Sequence, residues 1–549
     1  MTPALLDYLI IGAGPAGLQL AALLEREHRD YLVLEAGPTP GTFFRTYPRH
    51  RTLISINKPH TGSDDPELNL RMDWNSLLSD DPELRFTRYS ERYFPDADDL
   101  VRYLADFAVA SKARVRYDTR VTRVGRGPAV EAGAAAGEGA VFEVSDEAGE
   151  TFRSRRLIVA TGLSRLNHPR FEGSEQVEGY DQVTVDPKDF LDQRVLILGK
   201  GNSAFETADN LIETAAVIHV AGAGSIQFAW RTHYVGHLRA VNNNFLDTYQ
   251  LKSQNAILDG TVRRIERRGG QYLVTFSFSR VNEITKDLLY DRVIACTGFR
   301  FDPSIFAEDC RPALVIDDRF PEQTSAWESV NVPDLYIAGT LSQQRDFKKS
   351  TSGFIHGFRY GVRALERILG QRYHGAGWPA TELAPTPEAI AAAVIARVNR
   401  TSALWQQFGV LADVVTTGPA PARDGGPARY HEEVPTAYFR DGGLGRAAHA
   451  FAVTLEYGPE HDQVDPFDIN VSRIAQDHIG QAHDAAYLHP VVRYYRAGVP
   501  AGTHHLAENL ENQWDRPAIH RDPLIGFLAR CLDGVLDGAP DGGRATEGN

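Results

Sequence analysis

The stretch Gly12-Ala13-Gly14-Pro15-Ala16-Gly17 decides the fold of this chain. It follows the apolar run 8–11, which is rich in β-forming residues, and it opens the helix-forming run 18–24. A strand, a glycine turn and a helix in this order are typical of a dinucleotide-binding unit. In such a unit Gly12 permits the tight turn, Gly14 lets the backbone approach a pyrophosphate, and Gly17 lets the helix pack against the strand.

Further residues complete this first predicted site. The run 31–34 predicts a second strand that ends at Glu35, whose carboxylate can accept hydrogen bonds from a ribose diol. The strand 156–159 ends in small residues that let the chain turn close to a nucleotide. The predicted cofactor-binding residues of the first unit are Gly12, Gly14, Pro15, Ala16, Gly17, Glu35, Ala160, Thr161, Gly162 and, from a later buried strand, Gly339.

A second unit of the same kind lies about 190 residues further along the chain. The strand 195–198 leads into Gly199-Lys200-Gly201-Asn202-Ser203-Ala204, a GxGxxA variant, and then into a helix. The simplest interpretation places a flavin on the first unit and a nicotinamide nucleotide on the second; the alternative is a degenerate second unit kept for packing. The predicted residues of the second site are Gly199, Gly201, Asn202, Ser203, Ala204, Thr297 and Gly298.

The sequence leaves the identity of the nicotinamide nucleotide open. The strand 217–220 is followed by Ala221-Gly222-Ala223-Gly224, which contains neither an acid for a ribose diol nor an arginine for a 2′-phosphate. Lys200, Arg231 or Arg239 could reach a phosphate from elsewhere in the chain. NADH and NADPH therefore both stay open as hydride donors.

A loop with several cationic groups follows the first unit. The segment 47–59 carries Arg49, His50, Arg51 and Lys58 together with Asn57 in an otherwise acidic protein. One interpretation is a solvated basic loop that covers the nucleotide. The other places the loop over the reactive end of the cofactor, with Asn57 pointing inward.

Composition narrows the class of protein. The chain has 549 residues, of which 42% are hydrophobic and 24% charged, and its net charge is −14. Such acidity argues against nucleic acid or an anionic membrane as a partner. We find no CxxC pair among the three cysteines and predict no metal site. The absence of a recognisable signal peptide or membrane-spanning run predicts a cytoplasmic location.

The predicted organisation is α/β, with two Rossmann-like domains and a C-terminal α+β extension. The FAD-binding domain is expected at 1–170 and 330–373, and the NAD(P)H-binding domain at 171–329. The extension is expected at 374–538, with strands near 448–455 and 487–495 and helices near 506–512 and 523–536. The sequence of residues 539–549 predicts a disordered tail.

Longer blocks resemble a known family of two-dinucleotide flavoproteins. These blocks include DYLIIGAGPAGLQ, YPRHRTLISINKPHTG, VLILGKGNSAFETADN, GFIHGFRYGVRAL and YLHPVVRYYR. They resemble the flavin-containing monooxygenase-like branch, and within it the family typified by the endoplasmic-reticulum flavoprotein associated with degradation. The resemblance implies FAD at the first turn and NAD(P)H at the second. It also implies that Asn57 matches the asparagine that helps stabilise the flavin C4a-hydroperoxide.

The chain departs from the family pattern at informative positions. The oxygenase linker fingerprint can be laid on Phe171-Glu172-Gly173, and Val177 then stands at its histidine position. No CxxC pair follows the first glycine turn, which argues against a disulfide reductase. The endoplasmic-reticulum members carry a signal sequence and a retention tail that are not recognised here, so their quality-control role does not transfer.

The first functional hypothesis is an NAD(P)H-dependent FAD monooxygenase that oxygenates a small molecule, with an amine or amino acid as the expected substrate. Asn57, Arg49 and Lys58 are the predicted catalytic residues, and Arg51 with Asn57 the predicted substrate-binding residues. Molecular oxygen and a small-molecule substrate are the expected partners, and a homodimer is one expected assembly. The alternatives are an NAD(P)H oxidase or reductase, and a flavin-containing module that binds a partner without oxygenation.

Overall fold

In the computed structural model the chain divides into two compact units. The first comprises 1–58, 75–322 and 329–344, and the second comprises 59–74, 323–328 and 345–549. The structure describes residues 4–129, 140–251, 254–282, 284–418 and 426–534. Both predicted nucleotide-binding sheets lie in the first unit, and the predicted boundary between their domains stays a prediction.

The first sheet contains seven strands and begins the first unit. Leu5–Ile11 pairs in parallel with Tyr31–Leu34 on one side and with Thr151–Val159 on the other. The apolar residues of Leu5–Ile11 are buried from Tyr8 onward, as expected for a central parallel strand. The remaining strands of this sheet are Val115–Arg116, Val121–Ala129, Ala140–Asp146 and Leu335–Ile337.

The second sheet also has seven strands. Arg194–Leu198 lies between Val217–Gly222 and Arg292–Ala295, and all of these pairings are parallel. Ala256–Arg268 pairs in parallel with Val217–Gly222 and then continues into an antiparallel ribbon. The other strands are Glu178–Gly179, Gln271–Phe278 and Thr285–Tyr290.

Two helices of the first unit begin with residues that stabilise a helix N-terminus. Pro15–Arg26 begins directly after Gly14, with proline at its first position, where the missing N–H costs nothing. Ala97–Ala110 is capped by Asp96, whose carboxylate accepts a hydrogen bond from the N–H of Asp98 at 2.8 Å. The other α-helices are Thr42–Thr46, Asn202–Leu211, Ala229–Thr232 and Asn244–Leu251.

Short elements connect these strands and helices. Two-residue strands pair Arg165–Leu166 with Phe299–Arg300, and Leu314–Val315 with Phe320–Pro321. The 3₁₀ helices along the chain are Phe86–Arg88, Ser174–Gln176, Pro187–Phe190, Ala240–Asn242, Glu308–Cys310, Gly339–Asp346, Leu444–Arg446 and Ile479–Asp484.

The second unit is built on a six-stranded antiparallel sheet. Its strands in spatial order are Thr381–Leu383, Ala428–Pro435, Leu411–Thr417, His449–Glu456, His489–Arg496 and Val499–His505. Its α-helices are Pro66–Asn69, Ile355–His374, Pro387–Arg400, Ala403–Gln406, Thr436–Asp441 and Asp522–Leu532, and a π-helical turn covers Pro517–Arg521. The predicted α/β class, with two Rossmann-like sheets and a C-terminal α+β extension, is confirmed.

The predicted helix near 506–512 is wrong, because this segment adopts no helix. Its polar groups bond elsewhere: the N–H of Leu506 donates to the carbonyl of Pro490, extending a strand ladder. The Glu508 carboxylate accepts from the N–H of Tyr487, and the Asn509 side chain accepts from the N–H of Gln513. Such bonds compete with helical ones. The predicted tail at 539–549 lies outside the described residues.

A buried ionic cluster lies in the second unit. The Arg397 guanidinium lies 3.1 Å from a carboxylate oxygen of Asp413 and also pairs with Glu67. Glu433, itself buried, lies 3.5 Å from Arg397 and makes a two-point ion pair with Arg363. Because buried charges are tolerated only when they are paired, each member of the cluster depends on the others.

We predict that Arg397→Leu lowers the free energy of unfolding of the second unit by about 3–5 kcal/mol, since it leaves the buried Asp413 carboxylate without its cation. Arg400→Leu is the matched control, because Arg400 lies on the same helix with a side chain that is 54% exposed. The control should cost about 1 kcal/mol or less. Tryptophan fluorescence during urea unfolding measures this, since five of the six tryptophans belong to the second unit. Equal losses in the two variants would contradict the prediction.

Candidate functional site

The first glycine turn is wedged against the end of a neighbouring strand. Gly12 has a φ of +105°, and a Cβ there would lie 2.7 Å from the carbonyl oxygen of Ala160. A Cβ at Gly17 would overlap the carbonyl oxygen of Gly12. Only glycine allows both approaches. The turn, the helix that follows it and the Ala160-Thr161-Gly162 corner are therefore held together by close backbone contact.

The middle glycine of this turn has a different environment. A Cβ at Gly14 would meet no atom within 4 Å, so open space lies beside this residue. Gly14 also precedes the first turn of a 12-residue helix, whose first N–H groups lack partners within the helix. Gly339 approaches Ala16 so closely that a Cβ would lie 2.6 Å from the alanine methyl. This arrangement fits the pyrophosphate of FAD, which needs backbone approach and N–H donors.

Glu35 is tied to the same turn. Its carboxylate accepts hydrogen bonds from the N–H of Ala13 at 2.7 Å, from the N–H of Gly37 at 3.0 Å and from the hydroxyl of Thr42 at 2.8 Å. Glu35 is 6% exposed. A ribose diol would therefore share this carboxylate with the loop rather than receive it alone. The sequence analysis did not include Thr42, because nothing in its local pattern indicates the contact.

The second glycine turn repeats this construction. Gly199 has a φ of +127°, and a Cβ there would overlap the carbonyl oxygen of Cys296. A Cβ at Gly201 would meet nothing within 4 Å. The hydroxyl of Thr297 donates a hydrogen bond to the carbonyl of Asn167. The backbone N–H of Asn167 donates to the carbonyl of Gly298 at 2.8 Å. The backbone of this turn fits a second dinucleotide.

The side chain of Asn202 has a structural role. Its amide group donates to the carbonyls of Gly236 and His237, at 3.3 and 2.8 Å. Its oxygen accepts from the N–H of Arg239 at 3.0 Å and from the Asn242 side chain at 3.1 Å. These contacts use the full hydrogen-bonding capacity of a carboxamide. Any contact of Asn202 with a nucleotide would therefore come from its backbone N–H, as for Ser203 and Ala204 in the same helical turn.

The cationic side chains of the basic loop are occupied by other contacts. Arg49 donates to the carbonyl of Val183 at 2.8 Å, and Arg51 pairs with Asp98 at 2.6 Å. Burial, with Arg49 as a neighbour, lowers the pKa of His50 to about 4, so the imidazole is neutral at pH 7. Lys58 is exposed. Arg49 and Arg51 thus already have partners within the chain, and the predicted catalytic roles of Arg49 and Lys58 and the predicted substrate-binding role of Arg51 stay predictions.

Asn57 differs from its neighbours because it is fully buried and only partly satisfied. Its amide nitrogen donates to the carbonyl of Ser90 at 2.5 Å and to that of Arg92 at 3.4 Å. Since both partners are acceptors, the nitrogen must face them and the carboxamide orientation is fixed. The oxygen Oδ1 is buried and has no hydrogen-bond partner. Asn57 therefore presents an acceptor, and not a donor, to any group that approaches it.

The sequence analysis missed a buried cluster centred on Tyr180. Its hydroxyl donates to the Glu206 carboxylate and accepts from the N–H of Arg49 at 3.2 Å. The ring of Tyr47 stacks on that of Tyr180, with centroids 5.7 Å apart. Burial raises the pKa of Glu206 to about 7, and the Tyr180 hydrogen bond opposes that shift. This cluster fastens the basic loop to the second sheet and its helix.

All three cysteines are unsuited to thiol chemistry. Cys296, Cys310 and Cys531 are buried and form no disulfide. Burial raises the pKa of Cys296 and Cys531 to about 12 and that of Cys310 to about 11. A thiol that stays protonated at pH 7 is a poor nucleophile. These residues therefore do not supply a redox-active dithiol.

Comparison with known proteins supports this interpretation of the two turns. Residues 9–339 match the family model described as pyridine nucleotide-disulphide oxidoreductase. FAD-dependent oxidoreductase domain-containing protein 2 from Mus musculus is 41% identical over 96% of this chain and 84% of its own length. The protein of the same name from Danio rerio is 38% identical over 96% of this chain and 83% of its length.

A solved structure shares the fold. The flavin-containing monooxygenase from Stenotrophomonas maltophilia superposes with a TM-score of 0.51 at 19% identity, over 68% of this chain and 99% of that one.

Among the helices in the described ranges, none combines the length and apolarity needed to cross a membrane.

We predict that Glu206→Gln changes how stability depends on pH. A carboxyl whose pKa is raised by folding stabilises the protein fully below its unfolded pKa of about 4.5, and this contribution is lost as the pH rises through about 7. The variant should therefore gain stability relative to the parent between pH 5 and pH 8, by about 2 kcal/mol. Chemical denaturation followed by flavin fluorescence measures the difference.

Glu213→Gln is the control for Glu206→Gln, because Glu213 is exposed just beyond the same helix. Comparing variants at each pH cancels the opposite effect of buried histidines such as His219, whose pKa burial lowers to about 4. A stability difference between Glu206→Gln and the parent that does not change with pH would contradict the prediction.

Proposed function

The chain belongs to the pyridine nucleotide-disulphide oxidoreductase family of FAD- and NAD(P)H-dependent enzymes, and on this basis we propose that it is a monooxygenase. NAD(P)H would supply two electrons through the bound FAD, one atom of O₂ would enter a soft nucleophile, and the other atom would leave as water after taking up two protons. We propose an amine nitrogen, as in an amine or amino acid, as that nucleophile. The coarser assignment, a flavin-dependent oxidoreductase, follows from the family itself.

The observation that carries the proposal is the unpartnered Oδ1 of Asn57. A buried polar atom without a hydrogen bond costs about 1–3 kcal/mol, so the buried Oδ1 favours a bound partner that can donate a hydrogen bond to it. An acceptor in this place fits a group with an N–H or O–H, which an amine substrate, reduced flavin and a nicotinamide carboxamide all carry. The same position matches the asparagine of flavin-containing monooxygenases.

The chain supplies binding, orientation and exclusion of water. Bound FAD supplies electron transfer and oxygen activation, which no amino-acid side chain provides. The backbone N–H groups that follow Gly14 and Gly201 would hold the two pyrophosphates, and Glu35 would hold the ribose of FAD. Asn57 would orient a donor group in a site closed to solvent, where one hydrogen bond is worth more than in water.

A disulfide reductase is the function that the family description itself suggests, and the cysteines argue against it. A reductase of that kind needs a redox-active dithiol beside the flavin, whereas the sequence has no CxxC pair. The raised pKa values of the buried thiols also keep them protonated. The family membership thus describes the scaffold and the cofactors, and the thiol chemistry does not transfer.

A second candidate function is an NAD(P)H oxidase or reductase that puts no oxygen into an organic acceptor. Val177, at the histidine position of the oxygenase fingerprint, favours it. The Val177 side chain packs against an apolar cluster of the second sheet that includes Leu196, Val274 and Tyr272. A residue in that environment contributes packing and cannot exchange a proton.

Several further expectations belong to the proposal. The oxygenation needs molecular oxygen and a small-molecule acceptor as partners. The cytoplasmic location and a homodimeric assembly stay predictions.

Rapid mixing separates the two candidates. The FAD-loaded protein is reduced anaerobically with NADH or NADPH and then mixed with oxygen in a stopped-flow spectrometer. The proposal predicts a transient spectrum that differs from both oxidised and reduced flavin, and incorporation of ¹⁸O from ¹⁸O₂ into an amine. Direct return to oxidised flavin with all electrons recovered as hydrogen peroxide, across an amine panel, would instead establish an oxidase.

We predict that Asn57→Ala uncouples the reaction. Flavin reduction should keep its rate within about twofold, whereas product formed per NAD(P)H consumed should fall roughly tenfold, the value of one lost hydrogen bond. Hydrogen peroxide release against oxygen uptake measures the uncoupling.

Asn75→Ala is the matched control. Asn75 is also fully buried, and its side chain holds the same loop through the carbonyl of Ile56 and the hydroxyl of Ser55. Asn75→Ala should lower the stability of the protein as Asn57→Ala does, without changing the amount of product formed per NAD(P)H consumed. Equal uncoupling in both variants would contradict the proposed role of Asn57 in the reaction and would show that it only stabilises the loop.

A further inference from the structure

We infer that the second nucleotide site selects NADPH over NADH through Lys200 and Arg280, which bind the 2′-phosphate. The inference rests on the proposed function only in taking the second glycine turn as the nicotinamide-nucleotide site. It assigns a preference that the residues after strand Val217–Gly222 leave open, since that segment carries neither an acid nor an arginine.

The place where the adenosine ribose is recognised in such a fold is the carboxyl end of the second strand. Here that end is Gly222, and the neighbouring strand puts Asp259 beside it, in register. Lys200, from within the glycine turn, lies across Gly222, with its Cγ 3.3 Å from the position of a Cβ there. Its side chain is 8% exposed, so it is held in this position.

Two cations and a hydroxyl converge at this point. The Lys200 ammonium pairs with one carboxylate oxygen of Asp259 and donates to the carbonyl of Gly224 at 2.9 Å. Arg280 lies 3.3 Å from the other Asp259 oxygen and donates to the hydroxyl of Ser225 at 2.9 Å. The backbone supports this geometry, because the N–H of Ser279 donates to the carbonyl of Asp259 at 2.9 Å.

The balance of donors and acceptors in this cluster favours an anion. Each oxygen of Asp259 already receives a charge-assisted contact, so a ribose diol would have to compete with both cations for it. Arg280 has further N–H donors that neither Asp259 nor Ser225 uses, and its side chain is 66% exposed and accessible. With two positive charges against one negative, the cluster complements a phosphate monoester better than a neutral diol.

Sequence reasoning could not have included Arg280 or Asp259. They lie 80 and 59 residues beyond Lys200, and nothing near them resembles a nucleotide motif. Asp259 lies in the parallel part of strand Ala256–Arg268, and Arg280 lies in the turn after strand Gln271–Phe278. The parallel pairing of Ala256–Arg268 with Val217–Gly222 brings Asp259 to the ribose position, and Arg280 reaches the same place through its contacts with Asp259 and Ser225. The sequence does indicate Lys200 as a residue that could reach a phosphate, and in this cluster its proposed role is to bind the 2′-phosphate.

The test is calorimetric binding of two probes to the FAD-loaded full chain, with no turnover involved. The probes are 2′,5′-ADP and 5′-AMP, which differ only in the 2′-phosphate. The inference predicts that the parent binds 2′,5′-ADP roughly tenfold tighter or more, the usual value of a charge-assisted contact. Arg280→Ala should remove most of that preference and leave 5′-AMP binding unchanged.

Two further variants sharpen the test. Arg264→Ala is the matched control, since Arg264 lies on the strand that carries Asp259 and pairs with Glu266, outside the cluster; it should keep the parent's preference. Ser225→Ala removes only the exposed hydroxyl and should lower 2′,5′-ADP affinity less than Arg280→Ala does.

The contrary results are distinct. Equal affinity for both probes, or a preference for 5′-AMP that Asp259→Asn abolishes, would overturn the inference and make Asp259 a ribose acceptor for NADH. Binding of neither probe would overturn it together with the nicotinamide part of the proposed function. A clear 2′-phosphate preference in a protein that fails to oxygenate any amine would overturn the proposed function alone.

Discussion

The first unit depends on a close backbone contact that occurs twice. In each sheet a glycine turn approaches the carbonyl of the residue just after the adjacent parallel strand, Ala160 in one case and Cys296 in the other, more closely than a side chain on that glycine would permit. This contact fixes the position of the helix that follows, whose first N–H groups have no partners within the helix. The middle glycines, Gly14 and Gly201, are then left beside open space. The same constraint that closes the fold thus also creates the nucleotide sites.

Hydrogen-bond satisfaction distinguishes Asn202 from Asn57. Asn202 lies in a motif position and looks like a ligand-binding residue, yet the segment 236–242 uses every donor and acceptor of its carboxamide. Asn57 lies in the basic loop 47–59, and its Oδ1 has no hydrogen-bond partner within the chain. What differs is whether the chain itself completes their hydrogen bonds.

Local signals made much of the fold predictable. The strand before Gly12 and the helix after the glycine turn follow from residues within a few positions of each other, and both are found. The contacts that organise the sites could not be predicted in this way, because they join distant segments: Arg49 to Tyr180, and Lys200 to Asp259. The expected helix near 506–512 failed for the same reason. The segment instead extends a strand ladder, and its side chains accept hydrogen bonds from the backbone N–H groups of Tyr487 and Gln513.

The central claim is that the two turns hold different nucleotides, FAD on the first and NAD(P)H on the second. Gly14→Ala and Gly201→Ala test it as a pair, because both glycines have ordinary φ angles of −72° and −102° and room for a Cβ, so neither variant disturbs the fold. The measurement is FAD content per chain, followed by the NAD(P)H concentration that half-reduces the flavin. We expect Gly14→Ala to be purified with little FAD, and Gly201→Ala to keep its FAD but to need far more NAD(P)H. Equal loss of FAD from both variants, or the reverse pattern, would contradict this account.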